Sequence, residues 1–238
     1  MSVVRVAGVK KSYLAKGKVV TEALRGVDLV VEKGEFMAIA GPSGSGKTTL
    51  LNLIGALDTP TSGTVEVDGR DLGTLSPNEQ ADLRRDRIGF VFQAYNLIPV
   101  LSAAENAEYV MGLKRVPAAE RRRRVAELLA QVGLEGLEEK RPLEMSGGQQ
   151  QRVAVARAIA AEPAVVLADE PTANLDQATG RALVEMMRRL NRDRGVTFIF
   201  SSHDPMVLES ADRVVRLVDG KVASDERKSP GEPQAASS

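Results

Sequence analysis

Eight consecutive residues, Gly41-Pro-Ser-Gly-Ser-Gly-Lys-Thr48, have the types and spacing to hold a polyphosphate. They read G-x-x-x-x-G-K-T, the phosphate-loop pattern. Gly41, Gly44 and Gly46 open backbone conformations closed to other residues, so successive N–H groups can turn inward around phosphate oxygens. Pro42, Ser43 and Ser45 complete the turn. A helix starting near Lys47 adds the partial positive charge of its N-terminus. Lys47 would reach the β- and γ-phosphates, the Thr48 hydroxyl would ligate Mg²⁺, and Thr49 follows on the same turn. The alternative is a plain Gly/Ser turn between a strand and a helix. Against it stands the context: Glu35–Ala40 is a short apolar run fit for a buried strand, and Thr49–Leu57 has helical apolar spacing. The chain is read as binding a nucleoside triphosphate.

Further reactive side chains stand at the ends of apolar runs. Ala164–Ala168 reads as a buried parallel strand and ends in Asp169-Glu170. Ligands of open α/β sheets bind at such strand ends. Asp169 suits a Mg²⁺ partner and Glu170 suits polarisation of an attacking water. Ile88–Phe92 ends in Gln93, which either orients water or Mg²⁺ beside the loop or is a surface amide. Val196–Phe200 leads to His203, the only histidine, placed where the γ-phosphate edge would lie. Tyr13, at the end of a first strand over 3–13, is either a base-stacking platform or an exposed strand-end tyrosine. Ser146 N-caps a helix that begins Gly147-Gly148-Gln149; this is either a second anion-binding helix start or an ordinary cap.

The elements that must position these groups follow from pattern. Gly26–Glu32 and Thr64–Val67 read as strands, giving antiparallel β structure at the front of the chain, and 77–87 as an exposed helix. Between 96 and 130 the spacing turns helical, and the stretch 117–132 puts Val125, Leu128, Leu129 and Val132 on one face. Arg121–Arg124 share that helix with Glu120 and Glu127, so they read as a solvated face rather than a nucleic-acid patch. Val214–Val218 with the Asp219-Gly220 turn closes the ordered part, and 226–238 reads as a disordered tail.

Composition limits the function classes. There are 32 basic and 32 acidic residues, which gives no electrostatic case for nucleic acid. The absence of cysteine excludes disulfides and zinc–thiolate sites. No secretory leader is visible at Met1–Val6, and no apolar run approaches the roughly 18 residues of a membrane span. The chain reads as soluble and cytoplasmic.

In this order, from about Val3 to Val222, these stretches resemble the ATP-binding-cassette (ABC) ATPase family. Gly41–Thr48 is similar to its Walker A loop, Ala164–Glu170 to Walker B with the catalytic glutamate, and Met145–Gln149 to its signature, with Met in place of the usual Leu. Gln93 matches the Q-loop, Asn174–Asp176 the D-loop, His203 the switch histidine and Tyr13 the aromatic that stacks on adenine. The resemblance implies an α/β fold: a P-loop NTPase (RecA-like) core at 1–93 and 161–225, with an antiparallel β subdomain and a helical subdomain inserted at about 94–160. It implies ATP and Mg²⁺ as cofactors, with Thr48, Gln93 and Asp169 at the metal. It also implies a head-to-tail dimer in which Ser146, Gly147, Gly148, Gln149 and Asp176 complete the nucleotide site of a second copy. The partner implied is a transmembrane permease at the inner face of the cell membrane. Leu57–Gly63 and Ile88–Pro99 resemble the lipoprotein-releasing, macrolide-export and cell-division subgroup, in which Tyr95, Leu97, Ile98 and Pro99 would be contacts to the membrane subunit or subdomain core. A soluble ABC ATPase acting on DNA or ribosomes is the alternative, but it lacks support from a long coiled coil or a second cassette. A P-loop kinase or GTPase would leave Ser146–Gln149 and Asn174–Asp176 unexplained.

Overall fold

The structure, a computed structural model, describes residues 1–15 and 18–228. Strands β1 (Ser2–Ala15), β2 (Lys18–Glu32), β4 (Ser62–Val67) and β5 (Arg70–Asp71) form an antiparallel sheet in the order β2-β1-β4-β5. A second sheet takes β3 (Phe36–Ala40), β6 (Ile88–Val91), β7 (Val165–Asp169), β8 (Phe198–Ser201), β9 (Arg213–Val218) and β10 (Lys221–Arg227) in the order β10-β9-β3-β8-β7-β6. Its pairs are parallel except β9–β10. The helices are α1 (Lys47–Ile54), α2 (Pro77–Arg87), α3 (Ala103–Leu113), α4 (Ala118–Gln131), α5 (Gly147–Ala160), α6 (Gln177–Arg194) and α7 (Pro205–Ser210).

The continuous apolar runs of β3, β7 and β8 are explained by burial on both faces, since successive side chains point to opposite sides. Phe36, Val166, Ala168, Phe198 and Phe200 join a core with α3, α4, α5 and α6. Met37, Ile39, Val165, Leu167 and Ile199 join a second core with α1 and the antiparallel sheet. The four residues expected on one face of α4 and its end are all buried in the first core. Val91 of β6 sits in that core with Val153, Val155 and Ile159, so α5 packs both on the helices and on the parallel sheet.

Two boundaries differ from expectation. β2 starts eight residues earlier than the strand read at Gly26–Glu32. Glu226 and Arg227, read as the start of a disordered tail, pair with Val214 and Arg213 instead. β10 is a polar edge strand, largely exposed, and so gives no apolar signal. From residue 229 on, the expected tail lies outside the described residues.

Candidate nucleotide site

The C-terminal ends of β3, β6, β7 and β8 point to the same edge of the sheet, and a cleft of about 630 Å³ opens there. Tyr13, Pro42, Ser43, Gly44, Gly46, Lys47, Thr48, Thr49, Gln93, Glu170 and His203, all predicted site residues, line it. Thr21 and Ala23 of β2 and Ala173 line it too and were missed. That part of β2 carries no period-two signal, because its apolar residues fall in adjacent pairs, Val19-Val20 and Ala23-Leu24.

The loop after β3 is held by close approaches. Gly41 has φ +150, and a Cβ there would lie 2.2 Å from the Leu217 carbonyl oxygen. Gly46 caps α1 at φ +104, with the Ala23 carbonyl oxygen 2.6 Å from where its Cβ would be. Side chains are excluded at both positions by sterics, independently of any ligand. Lys47 Nζ donates to the carbonyl oxygens of Gly41 at 2.7 Å and Pro42 at 3.1 Å, so its ammonium lies within the loop. Ser45 is buried beneath, and its Oγ has no partner among the described residues.

Asp169 and Glu170 diverge at the end of β7. Thr48 Oγ1 donates to Asp169 Oδ1 at 3.2 Å, and Ser201 Oγ donates to the same oxygen at 2.6 Å. Glu170 takes φ +45, a left-handed conformation that costs a non-glycine residue about 1–2 kcal/mol. Its N–H donates to the Ser201 carbonyl. Its Oε1 lies 2.9 Å from His203 Nδ1 and its Oε2 accepts from Ser202 Oγ at 3.4 Å. Turning out of the strand brings Glu170, but not Asp169, into the wall of the cleft. Gln93 is tied to Asn174. Asn174 Nδ2 donates to the Gln93 carbonyl at 2.9 Å, and Gln93 Nε2 donates to Asn174 Oδ1 at 3.4 Å.

The donors here fit magnesium. Among the described residues no three His, Cys, Asp or Glu side chains converge as a metal cluster. Thr48 and Asp169 instead offer one hydroxyl and one carboxylate in contact beside the phosphate loop. Magnesium is held that way, by one or two protein oxygens with substrate phosphates and water completing the shell.

Ser146, Gly147, Gly148, Gln149 and Asp176 do not line this cleft. Ser146 Oγ accepts from the Gln149 N–H at 3.3 Å and Gln149 Oε1 accepts from the Ser146 N–H at 2.8 Å, a reciprocal cap of α5. Gly147 packs under the Tyr95 hydroxyl and Gly148 against Thr179. Asp176 caps α6, accepting from the Thr179 N–H at 3.0 Å and hydroxyl at 2.6 Å; these bonds hold its carboxyl below the usual range.

A second, apolar cleft of about 410 Å³ runs between β6, α3 and α5, lined by Leu57, Phe90, Phe92, Ile98, Tyr109 and Leu113 among others. Of the four residues expected as docking contacts or subdomain core, Ile98 lines it. Leu97 packs on the core. Tyr95 turns inward to Gly147 because Tyr95 and Asn96 both take positive φ. Arg157 secures that turn, donating to the Tyr95 carbonyl at 2.9 Å and the Asn96 carbonyl at 2.5 Å. Pro99 is exposed.

The family described as ABC transporter matches residues 24–173. The chain is 49% identical over 222 residues to the lipoprotein-releasing system ATP-binding protein LolD 1 of Rhodopseudomonas palustris, covering 93% of this chain and 98% of that one. It is 43% identical to the macrolide export ATP-binding/permease protein MacB of Syntrophobacter fumaroxidans, covering 93% of this chain but 31% of that longer protein. A dimeric post-hydrolysis structure of the ATP-binding cassette MJ0796, bound to ADP and Pi, superposes with a TM-score of 0.85 at 42% identity, covering 94% of this chain and 98% of that one. MJ0796 comes from Methanocaldococcus jannaschii. The chain therefore belongs to the ABC transporter family, as a cassette with the P-loop NTPase fold that binds and hydrolyses ATP with Mg²⁺.

Proposed function

We propose that this cassette powers a lipoprotein-releasing or macrolide-export-type complex, working as a head-to-tail dimer that drives a membrane permease. The observation that carries the reading is the division of the nucleotide machinery. Phosphate loop, Glu170 and His203 share one cleft, while Ser146–Gln149 lies outside it. A second copy would supply that capped helix start to the γ-phosphate, and the first N–H groups of α5, which have no intrahelical acceptor, would meet it. ATP would then hold the closed dimer and hydrolysis would release it, since only the γ-phosphate distinguishes the two states.

Within one cleft the contacts support the following roles. Tyr13 is the base platform, and the loop N–H groups and Lys47 bind the phosphates. Glu170 polarises the attacking water, with His203 and Ser202 fixing its carboxylate. Thr48, Asp169 and Gln93 would hold Mg²⁺, which neutralises charge on the phosphates. The core at 1–93 and 161–225 supplies this cleft. The helical subdomain at about 94–160 supplies the signature and the outer wall of the apolar groove. That groove, with Tyr109 and Leu113 exposed at its mouth, is where a permease helix would dock. Among the described residues no helix is long and apolar enough to cross a membrane. Docking of this kind would place the cassette peripherally, on the cytoplasmic face.

The test is co-purification. Glu170→Gln, loaded with ATP–Mg²⁺, is used to capture partners from detergent-solubilised native membranes. Recovery of a permease with few spanning helices and a large outer domain supports the reading. A partner with six or more spanning helices per subunit removes the subgroup, and ribosomal or DNA-bound proteins alone remove the transport function.

A further inference from the structure

We propose that Asp58 and Lys11 are positioning residues that fix the Tyr13 ring for the nucleotide base. The proposal rests on the reading of Tyr13 as the base platform and goes one layer behind it. Tyr13 lines the nucleotide cleft yet is 40% exposed. An aromatic ring so exposed at a strand end has several rotamers open to it, and only one presents its face to a base. Here one rotamer is selected from outside the cleft. The Tyr13 hydroxyl donates to Asp58 Oδ2 at 3.1 Å, from a residue 45 positions away in sequence.

Asp58 is itself held. Lys11 Nζ donates to Asp58 Oδ1 at 2.5 Å and to the Thr59 carbonyl at 2.8 Å, and the Thr59 N–H donates to Asp58 Oδ1 at 2.7 Å. Lys11 and Tyr13 are two apart on β1 and so share a face. The Lys11 ammonium sits 4.9 Å from the Tyr13 ring centroid, covering one side of the ring and leaving the other for a ligand. The loop carrying Asp58 is zipped to β1 by two further bonds: Ser12 N–H to Thr61 Oγ1 at 2.9 Å, and Thr61 N–H to the Lys10 carbonyl at 2.8 Å. Burial raises the Asp58 carboxyl, but the hydrogen bonds from Lys11, Thr59 and Tyr13 outweigh it and hold the group below the usual carboxylate range. It is therefore a charged acceptor for the phenol at neutral pH.

Lys11 is buried, at 9% exposure, and lies outside the nucleotide cleft. A buried ammonium requires partners, and it finds them in Asp58 and Thr59 rather than in the ligand. The pair therefore acts on ATP through the tyrosine. Its loss changes how well the base is received, without changing the phosphate chemistry.

The experiment measures ATPase kinetics, together with calorimetric binding of ATP–Mg²⁺ and of inorganic tripolyphosphate–Mg²⁺, which has no base. Asp58→Ala is expected to raise KM and Kd for ATP by roughly three- to tenfold, the scale of one hydrogen bond, with kcat within about twofold. Tripolyphosphate affinity is expected to stay the same. Tyr13→Phe, which keeps the ring and loses the hydroxyl, is expected to give a shift of the same size, and adding Asp58→Ala to it to give no further loss. Equal weakening of ATP and tripolyphosphate in Asp58→Ala overturns the proposal, as does an unchanged ATP KM in Tyr13→Phe. If Tyr13→Ala weakens ATP while Tyr13→Phe and Asp58→Ala do not, the positioning role falls and the platform stands. If Tyr13→Ala also has no effect, the platform reading falls with it. Should Asp58→Ala not fold, Tyr13→Phe alone decides, because it removes one exposed-edge hydroxyl and no packing.

Discussion

Replacing Glu170 by Gln should separate turnover from folding. Glu170 already carries its conformational cost in a φ of +45, about 1–2 kcal/mol for any residue with a Cβ, and Gln carries the same cost there. The carboxamide keeps an acceptor for Ser202 Oγ, which lies 3.4 Å from Oε2, and then presents its N–H₂ as a donor to a neutral His203 Nδ1. Stability should therefore change by less than about 1 kcal/mol, a Tm shift of no more than roughly 4 °C for a chain of this size. What is lost is the charged base. Removing a positioned general base costs typically 10²–10⁴ in rate, which is about 2.7–5.4 kcal/mol of barrier at 1.36 kcal/mol per decade. The assay is phosphate release at saturating ATP–Mg²⁺, with nucleotide affinity and Tm measured on the same preparation. A turnover within tenfold of the parent, in a protein that binds ATP and melts normally, would refute the assignment of Glu170 as the group that polarises water. A Tm loss well beyond 4 °C would refute the claim that Gln inherits its contacts.

Two further outcomes follow from hydrogen-bonded polar groups away from the chemistry. Asn106 is fully buried; its amide donates to the carbonyls of Ile98, Leu101 and Ser102 and accepts from the Ile98 N–H, tying the wall of the apolar groove to α3. Asn106→Ala leaves the Leu101 carbonyl and the Ile98 N–H without that partner, while the Ile98 and Ser102 carbonyls keep backbone donors. It should cost about 2–4 kcal/mol, lowering Tm by roughly 5–15 °C in a calorimetric scan, and a shift under about 2 °C would show that the loop refolds without it. The depressed Asp58 carboxyl makes stability pH-dependent in a stated direction. Its folded value lies below the unfolded one, so its contribution is complete above the unfolded value of about 3.9 and is lost as pH falls through the folded value. Between about pH 5 and pH 2 the Tm of the parent should fall more steeply than that of Asp58→Asn, and parallel curves would contradict the ionised Lys11–Asp58–Tyr13 arrangement.

The parts of the fold legible in the sequence are those whose signal is local. β3, β7 and β8 show as apolar runs because both faces of the central sheet are covered, and α5 shows because Ser146 and Gln149 cap it reciprocally. Elements that depend on distant partners were not legible. The first half of β2 is a strand because β1 pairs with it along nearly its whole length. β10 is a strand because β9 offers it an edge, and its own residues alternate between exposed and half-buried without an apolar face. Among the site residues, the motif positions could be named one by one, whereas the groups that orient them could not. Asp58 reads as a loop acid until Tyr13 is seen above it, Ser201 and Ser202 as strand-end hydroxyls until Asp169 and Glu170 are seen beside them. Tyr95 reads equally as an outward contact or as subdomain core until Arg157, 62 residues on, is seen holding its carbonyl.

Strand order explains why so few side chains suffice. Reactive groups leave the ends of β3, β8, β7 and β6, which are consecutive neighbours in the sheet. Adjacent strands are spaced by about 4.8 Å, so the four exits from β3 to β6 span roughly 14 Å. Parallel strands place all four chain exits on one edge, and each exit carries a different candidate group: the glycine loop with Lys47 after β3, His203 after β8, the two acids after β7 and Gln93 after β6. Beyond β6 the sheet ends. α5 lies over that edge strand, and the segment from Gln93 to Asn96 is clamped between Asn174 and Arg157. Phe90 and Phe92 line the groove three residues and one residue before Gln93, which lines the cleft, so whatever pushes on them acts on the backbone that carries Gln93. In the proposed assembly, the short covalent distance between groove and cleft is what would let nucleotide occupancy and permease position report on each other without any long-range pathway through the core.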